Sequence, residues 1–276
     1  MDLASGSAVR TSGTPRVWLL PAGLAVLVLV GVLLDPGPVF RVLRVLHSGV
    51  DYHPDSTHSF FLSGEQSIIC ARNSGLYAGA LLAVVWAWAT GRGRAIEFPQ
   101  LRVAIVLAIF VLAMALDGFN SVAWDIGYAT PYDPTNPLRL ATGLLAGAAV
   151  GTYFLPVLNG LIWRSSLPSS ALPGYRSLVG LTLVLAGYWA VVTLGLDVFA
   201  LPVALTTAGA SFVLFGGANL IFLLLLRRSE NTMDRTRDLL RPGLICAAAT
   251  VCELLALAWI VQRLMSAATM NKAGGG

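Results

Sequence analysis

Apolar runs separated by short polar segments make up most of the chain. Each run is long enough to cross a bilayer as a helix, which takes roughly 20 residues. None alternates apolar and polar residues as a transmembrane β-strand does. The runs centre on residues 17–34, 67–90, 101–118, 137–163, 175–197, 200–226 and 242–265. The pattern predicts an all-α membrane protein, a polytopic bundle of about seven transmembrane helices.

The polar segments divide the chain. Arg10 and Arg16 precede the first run, as basic residues precede a signal peptide. However, Asp35-Pro36-Gly37-Pro38 follows the run, in place of the small residues of a cleavage site. We therefore expect this run to remain as a signal anchor. The predicted divisions are a disordered cytoplasmic N-terminus at 1–16, the anchor and an interfacial amphipathic segment ("VFRVLRVL") at 17–49, a core with an outward-facing polar site at 50–151, further transmembrane helices at 152–268 and a flexible tail at 269–276.

Composition agrees with a membrane location. Hydrophobic residues make up 56% of the 276 residues and charged residues 12%, against about 25% charged residues in soluble proteins. The net charge of +4 is small and requires no nucleic-acid partner. Cys70, Cys246 and Cys252 form no CxxC pair, so neither a metal site nor a disulfide framework is predicted. The lipid bilayer is the one partner that composition implies.

The distribution of charge predicts the orientation. Basic residues concentrate in alternate loops, at Arg10 and Arg16, Arg92 and Arg94, Arg164 and Arg176, and five arginines within 227–241. The other loops carry mostly acids. Because cytoplasmic loops are enriched in Lys and Arg, the N-terminus is predicted to be cytoplasmic and the C-terminus outside, in the plasma membrane. The longest outside loops, 34–66 and 118–136, hold most of the non-basic polar residues, so a site is expected to face outward.

Two arginines begin apolar runs directly above rows of glycine. Arg72 precedes Gly75 and Gly79, whereas Arg139 precedes Gly143, Gly147 and Gly151. Small residues at this spacing let transmembrane helices approach closely. The arginines either extend their side chains to the interface or find partners inside the bundle. Asp117 is the best candidate partner, followed by Asp125, Asp133 and Glu65.

The same stretches resemble each other. "SGLYAG" at 74–79 matches "TGLLAG" at 142–147, and an arginine precedes each. The match indicates a parallel repeat in which the second and third runs correspond to the fourth and fifth. Chance recurrence of small residues in membrane helices is the alternative.

Three further ionisable residues have open roles. His53 and His58 lie among acids in "YHPDSTHSFF", which suits proton transfer, a metal site or simply a solvated loop. Glu253 lies midway along the last run, where it either couples transport to protons or holds two helices together. The sequence contains no catalytic or cofactor-binding fingerprint, so no cofactor is assigned.

Two motif blocks are similar to those of a prokaryotic membrane-protein family known as domain of unknown function 2085. The first block matches at His53, Ser59, Phe60, Gly64, Gln66, Cys70, Ala71, Arg72, Gly75, Tyr77 and Gly79. The second matches at Asp117, Gly118, Thr135, Asn136, Arg139, Thr142, Gly143 and Gly147. The resemblance covers about residues 50–151. Tyr52, His58 and Asn73 replace two cysteines and an arginine of the family pattern, so chemistry based on those cysteines is not expected here.

The resemblance implies that Arg72, Asp117, Asn136 and Arg139 form one shared site, without implying an activity. We add His53, Asn73 and Tyr77 as candidate ligand contacts.

Three functions remain open. The site binds or transports an anionic lipid headgroup or small anion, or the protein is an accessory subunit of a larger membrane complex, or it is a membrane enzyme acting on a lipid-linked substrate. Other membrane subunits are partners in the second case. Histidine as general base and arginine at a phosphate would serve the third.

Overall fold

A computed structural model describes residues 37–51 and 56–273 of the chain. The first apolar run at 17–34, the predicted N-terminal segment at 1–16 and His53 lie outside the described residues. The described helices are α1 Gly37–His47, α2 Ala71–Ala89, α3 Leu101–Asp125, α4 Asn136–Ile162, α5 Tyr175–Thr193, α6 Ala200–Arg227 and α7 Leu240–Ala273. Four short strands accompany them, β1 Phe61–Leu62, β2 Glu65–Gln66, β3 Ala95–Glu97 and β4 Leu167–Ser170.

Five helices are long and apolar enough to cross a membrane, namely α3 to α7, of which the last two extend through short preceding 3₁₀ turns. The helical membrane-type fold is therefore confirmed. The helix α2 has 19 residues, but its first turn contains the polar residues Arg72 and Asn73. It is not among the five. Seven spans and the orientation of the termini stay predictions.

The helix α4 occupies the centre of the bundle. Within its most apolar window 67% of residues are buried, against 17% for α3. The exposed residues of α3 include Ile105, Ile109, Leu112 and Leu116, which suit contact with lipid tails. Polar groups carried by α4 are consequently held away from lipid, whereas α3 has one side toward α4 and the other toward the bilayer.

Glycines bring the backbones of α2 and α4 into direct contact. A Cβ atom added at Gly75 would lie closer than 3.0 Å to the Leu140 carbonyl oxygen and the Leu144 nitrogen. A Cβ atom at Gly143 would likewise overlap the carbonyl oxygen of Arg72. The same holds for Gly79 against Leu144, Gly147 against Leu76 and Gly151 against Ala80. Any side chain at these positions would push the two helices apart.

These contacts are reciprocal, which supports the repeat indicated by the sequence. Gly75 meets Leu140, and its counterpart in the second motif, Gly143, meets Arg72. The helices α2 and α4 run in the same direction. The matching contacts therefore relate the two helices by a local two-fold axis that lies between them. The connections after the two helices also pair, since β3 and β4 form a parallel ladder with Ala95 opposite Leu167. That ladder lies at the end of the bundle opposite Arg72 and Arg139.

The remaining helices flank this pair. The helices α6 and α7 pack on each other, and α1 packs against both. His47 at the end of α1 lies 2.8 Å from the Ser211 hydroxyl of α6, and Gly49 lies against the α7 backbone at Leu257 and Ala258. The amphipathic segment is thus attached to the bundle on its buried side, which includes Phe40.

One expectation about the helix bounds needs correction. The third run was expected to end at 118, but α3 continues to Asp125, since residues 119–125 extend the helix with further apolar positions. Asp117 consequently lies two turns before the helix end.

The interfacial position of the amphipathic segment stays a prediction. Its Arg44 donates to Glu65 Oε2 at 3.2 Å and to the Gln66 carbonyl oxygen at 2.9 Å, because the β1–β2 hairpin lies against α1.

Candidate functional site

Asp117 and Arg72 form an ion pair between α3 and α2. Arg72 donates from Nη2 to Asp117 Oδ2 at 2.6 Å and from Nε to the same oxygen at 3.2 Å. The carboxylate is buried, whereas the Arg72 side chain retains 18% of its exposure. Among the candidate acids weighed for the two arginines, the structure selects Asp117 for Arg72.

Further donors saturate the Asp117 carboxylate. Thr142 of α4 donates to Oδ2 at 3.2 Å, and the Tyr132 hydroxyl donates to Oδ1 at 3.1 Å. Partial burial and the bond to Asp117 raise the pKa of Tyr132. Donors from α2, from α4 and from the loop after α3 thus converge on the Asp117 side chain.

Arg139 is buried and forms no close ion pair with any acid among the described residues. It is 5% exposed, and its Nη1 donates to Asn136 Oδ1 at 3.0 Å and its Nε to Ser121 Oγ at 3.4 Å. Within residues 37–51 and 56–273, no carboxylate oxygen lies within 4.0 Å of its guanidinium. Ser121 Oγ also accepts from Arg72 Nη2 at 2.7 Å. Two guanidinium groups therefore share the Ser121 hydroxyl, and Asp117 pairs closely with Arg72. The acids Asp125 and Asp117 act on Arg139 only from beyond ion-pair distance.

Asn136 connects the cluster to the segment at residues 57–59. Its Nδ2 donates at 3.0 Å to the carbonyl oxygens of Thr57 and Ser59. Beside it, His58 Nε2 lies 3.2 Å from Asp125 Oδ2 at the end of α3. These bonds hold residues 57–59 across the ends of α3 and α4.

Asn120 contributes an unsatisfied acceptor. Its Nδ2 donates to the Tyr132 carbonyl oxygen at 2.9 Å, which fixes the orientation of the amide. Its Oδ1 is buried and meets no donor in the described part of the chain. Buried polar atoms are normally hydrogen-bonded, and Asn120 follows Asp117 by three positions on the same face of α3.

An apolar groove opens beside Arg72 on the outer surface of α3. Its volume is about 480 Å³, and its lining comprises Arg72, Val111, Met114, Ala115, Gly118, Phe119 and Val122. Gly118 leaves it open, since a Cβ atom there would meet nothing within 4 Å. From Val111 to Val122 the helix rises roughly 16 Å, which is about one leaflet of a hydrocarbon core roughly 30 Å thick.

The other candidates lie elsewhere. Asn73 and Tyr77 make no side-chain hydrogen bond to the cluster among the residues described, and Tyr77 packs against the apolar core. Glu65 pairs with Arg44, and Glu253 accepts from Asn219 Nδ2 at 2.9 Å on the exposed surface of α6 and α7. Sequence reasoning missed Asn120, Ser121 and Tyr132. The spacing of Asn120 and Ser121 from Asp117 was a usable signal, because positions three and four apart share a helix face.

Comparison with known proteins places this cluster in a recognised segment. Residues 52–153 match the family model described as "Predicted membrane protein (DUF2085)". The resemblance inferred from the two motif blocks is thereby confirmed. The DUF2085 segment contains α2, α3 and most of α4, and all residues of the cluster lie within it.

A curated relative from Methanocaldococcus jannaschii, named "Uncharacterized protein MJ1492", is 30% identical over 112 residues. The match covers 41% of this chain and 66% of that protein, just under two thirds of its length. No solved structure matches the chain.

Proposed function

We propose that the cluster of Arg72, Arg139, Asp117, Ser121 and Asn136 is an outward-facing binding site for the anionic group of a lipid headgroup or a small anion. The observation that carries the proposal is the burial of Arg139 with no carboxylate oxygen within 4.0 Å among the described residues, since Asp125 and Asp117 act on it only from farther away. Five helices that are long and apolar enough to cross a membrane, and the match of residues 52–153 to a membrane-protein family model, support a membrane location for the site.

Electrostatics favours an anion at this place. A buried charge is costly unless it is paired, and Asp117 already has Arg72 as its close partner. Arg72 and Arg139 lie in the first turns of α2 and α4, where the helix dipoles add positive potential. A phosphate or carboxylate group would supply the missing negative charge, and the planar guanidinium suits both groups.

The direction of the site follows from the charge bias of the loops. The arginine-rich connections lie at the opposite end of α2 and α4 from the cluster, where Arg94 stacks over Trp163. With the arginine-rich end in the cytoplasm, the cluster faces outward, and the protein is expected in the plasma membrane.

Thermal unfolding in detergent with added ligand tests this proposal, because a ligand that binds the native state alone raises stability. Inorganic phosphate and phosphatidylglycerol serve as probes. We expect at least one of them to stabilise the wild type and Arg164→Gln, a control at the opposite end, and to leave Arg139→Gln unchanged. Equal stabilisation of all three proteins, or of none, would contradict an anion site at Arg139.

Asp55 requires its own control, since it lies outside the described residues and is close in sequence to the loop over Asn136. If the chain itself neutralised Arg139 through Asp55, Asp55→Asn would lower the unfolding temperature of the ligand-free protein and strengthen phosphate binding. We expect neither change.

A second candidate function, an accessory subunit of a membrane complex, has one specific observation in its favour. Glu253 is exposed on α7 within a predicted span and is bonded to Asn219. A carboxylate facing hydrocarbon is costly, and a partner helix would cover it. Copurification of a stoichiometric partner from wild type and its loss from Glu253→Leu would support this role.

A further inference from the structure

The groove along α3 joins the charged cluster to the lipid-facing surface. Arg72 lies in its lining at the level of Asp117 and Ser121, and apolar residues of α3 line the remainder. Arg72 uses Nε and Nη2 for Asp117 and Ser121, and no hydrogen bond from Nη1 is formed within the described residues. The guanidinium therefore presents one edge to the cluster and retains donors toward the groove.

Charge complementarity distinguishes this groove from another apolar one. A second groove of about 180 Å³ runs between α4 and α5 and is lined by Ala141, Leu144, Leu145, Thr182, Leu185, Ala186 and Trp189. It contains no charged residue, so nothing there would select a headgroup. The α3 groove combines a cation with an apolar stretch that extends roughly 9 Å along α3, from the level of Asp117 to Val111.

We infer that the groove holds one acyl chain of an anionic membrane lipid, whose headgroup contacts Arg72 and reaches Arg139. This inference rests on the proposed function and specifies its ligand as a lipid that enters sideways from the bilayer. A small anion arriving from solution would leave the groove unused.

Gly118 provides a selective way to block the groove. A Cβ atom at this position meets nothing within 4 Å, so Gly118→Leu fills the groove without displacing the backbone. Gly187→Leu is a matched control, since Gly187 lies within the spanning helix α5 and its Cβ position is equally open. Both changes replace a helical glycine by a better helix former, so neither is expected to unfold the protein.

The experiment compares phosphatidylglycerol, phosphatidylcholine with the same acyl chains, and inorganic phosphate as probes of the purified full-length protein. We expect wild type and Gly187→Leu to retain phosphatidylglycerol in preference to phosphatidylcholine. We expect Gly118→Leu to bind phosphatidylglycerol at least about tenfold more weakly, the cost of leaving about two methylene groups unburied. Its affinity for phosphate should stay unchanged, because the cluster is intact.

The outcomes separate the two proposals. Wild-type affinity of Gly118→Leu for phosphatidylglycerol would overturn the groove inference, while the anion site would stand if Arg139→Gln still abolished binding. Failure of the wild type to bind either phosphate or phosphatidylglycerol would overturn both. If Gly118→Leu is unstable, Ala115→Phe blocks the same groove, and unchanged phosphatidylglycerol binding there would equally overturn the inference.

Discussion

At the scale of residues, Arg72 and Arg139 have the same side chain but different surroundings. Asp117 is 2% exposed and depends on Arg72 for its close countercharge, whereas Arg139 has hydrogen bonds to Asn136 and Ser121. Removing one partner of a buried ion pair leaves an uncompensated charge. The two arginines should therefore respond in opposite ways to loss of charge.

We predict that Arg72→Gln destabilises the ligand-free protein by about 3–5 kcal/mol, because Asp117 then remains buried without its countercharge. Arg139→Gln should cost clearly less than Arg72→Gln, since the loss of its two charge-assisted hydrogen bonds is offset by the removal of a buried charge that has no carboxylate within 4.0 Å among the described residues. Thermal or denaturant unfolding in one detergent, without added anion, measures both. Equal destabilisation by the two substitutions would show that Arg139 has a countercharge in the chain.

The sequence identified the principal charged residues but not their pairing. Motif similarity associated Arg72, Arg139, Asp117 and Asn136 with one site, and the structure brings these four side chains into a connected set of hydrogen bonds. Which arginine receives Asp117 depends on the rotation of α3 against α2 and α4. The periodicity of a single helix does not predict how that helix is rotated against its neighbours. For the same reason the sequence did not predict the hydrogen bond from the Tyr132 hydroxyl to Asp117.

At the scale of elements, the contact between α2 and α4 depends on the absence of side chains at five glycines. The spacing of Gly75, Gly79, Gly143, Gly147 and Gly151 predicted a close helix–helix contact. The structure shows that these glycines face backbone atoms of the opposite helix. Backbone atoms cannot rotate away as a flexible side chain can.

We predict that Gly147→Ala separates α2 from α4 and destabilises the protein by roughly 1–3 kcal/mol, the usual cost of overpacking, since its Cβ would overlap the Leu76 carbonyl oxygen. Gly160→Ala in the same helix is the matched control, because its Cβ position is open. The control should be neutral or stabilising by up to about 1 kcal/mol. Similar unfolding temperatures for the two variants would show that the contact is not close in the folded protein.

The end of α3 was the least predictable part of the core. The apolar run alone suggested a stop near residue 118, where Asp117, Gly118 and Asn120 interrupt hydropathy. The helix continues because Asp117 and Ser121 turn toward Arg72 and Asn120 donates to the Tyr132 carbonyl, while Phe119 and Val122 remain on the lipid side. Polar residues with internal partners are compatible with a spanning helix, which a hydropathy average does not distinguish.

At the scale of the whole molecule, the parallel helices α2 and α4 have the cluster at one end and the paired β3–β4 connections at the other. The family match ends at residue 153, so α5, α6 and α7 lie beyond the matched segment. The helices α6 and α7 both pack against α1, and α6 also packs against α2.

The predicted orientation has a direct consequence for surface labelling. With the three native cysteines replaced, a single cysteine at Asp133 should react with a membrane-impermeant maleimide in intact cells, and one at Arg237 should react only after lysis. Asp133 lies beside the cluster in the loop after α3, and Arg237 lies in the arginine-rich connection before α7. The reverse labelling pattern would place the cluster in the cytoplasm.

The central claim, that the buried Arg139 and its neighbour Arg72 bind an anion, is tested most directly by native mass spectrometry. Wild type and Arg139→Gln would be released from nanodiscs that contain phosphatidylglycerol and phosphatidylcholine. The account predicts a phosphatidylglycerol adduct on the wild type that is absent from Arg139→Gln. Equal adducts on the two proteins, or a wild type that carries no anionic species, would contradict it.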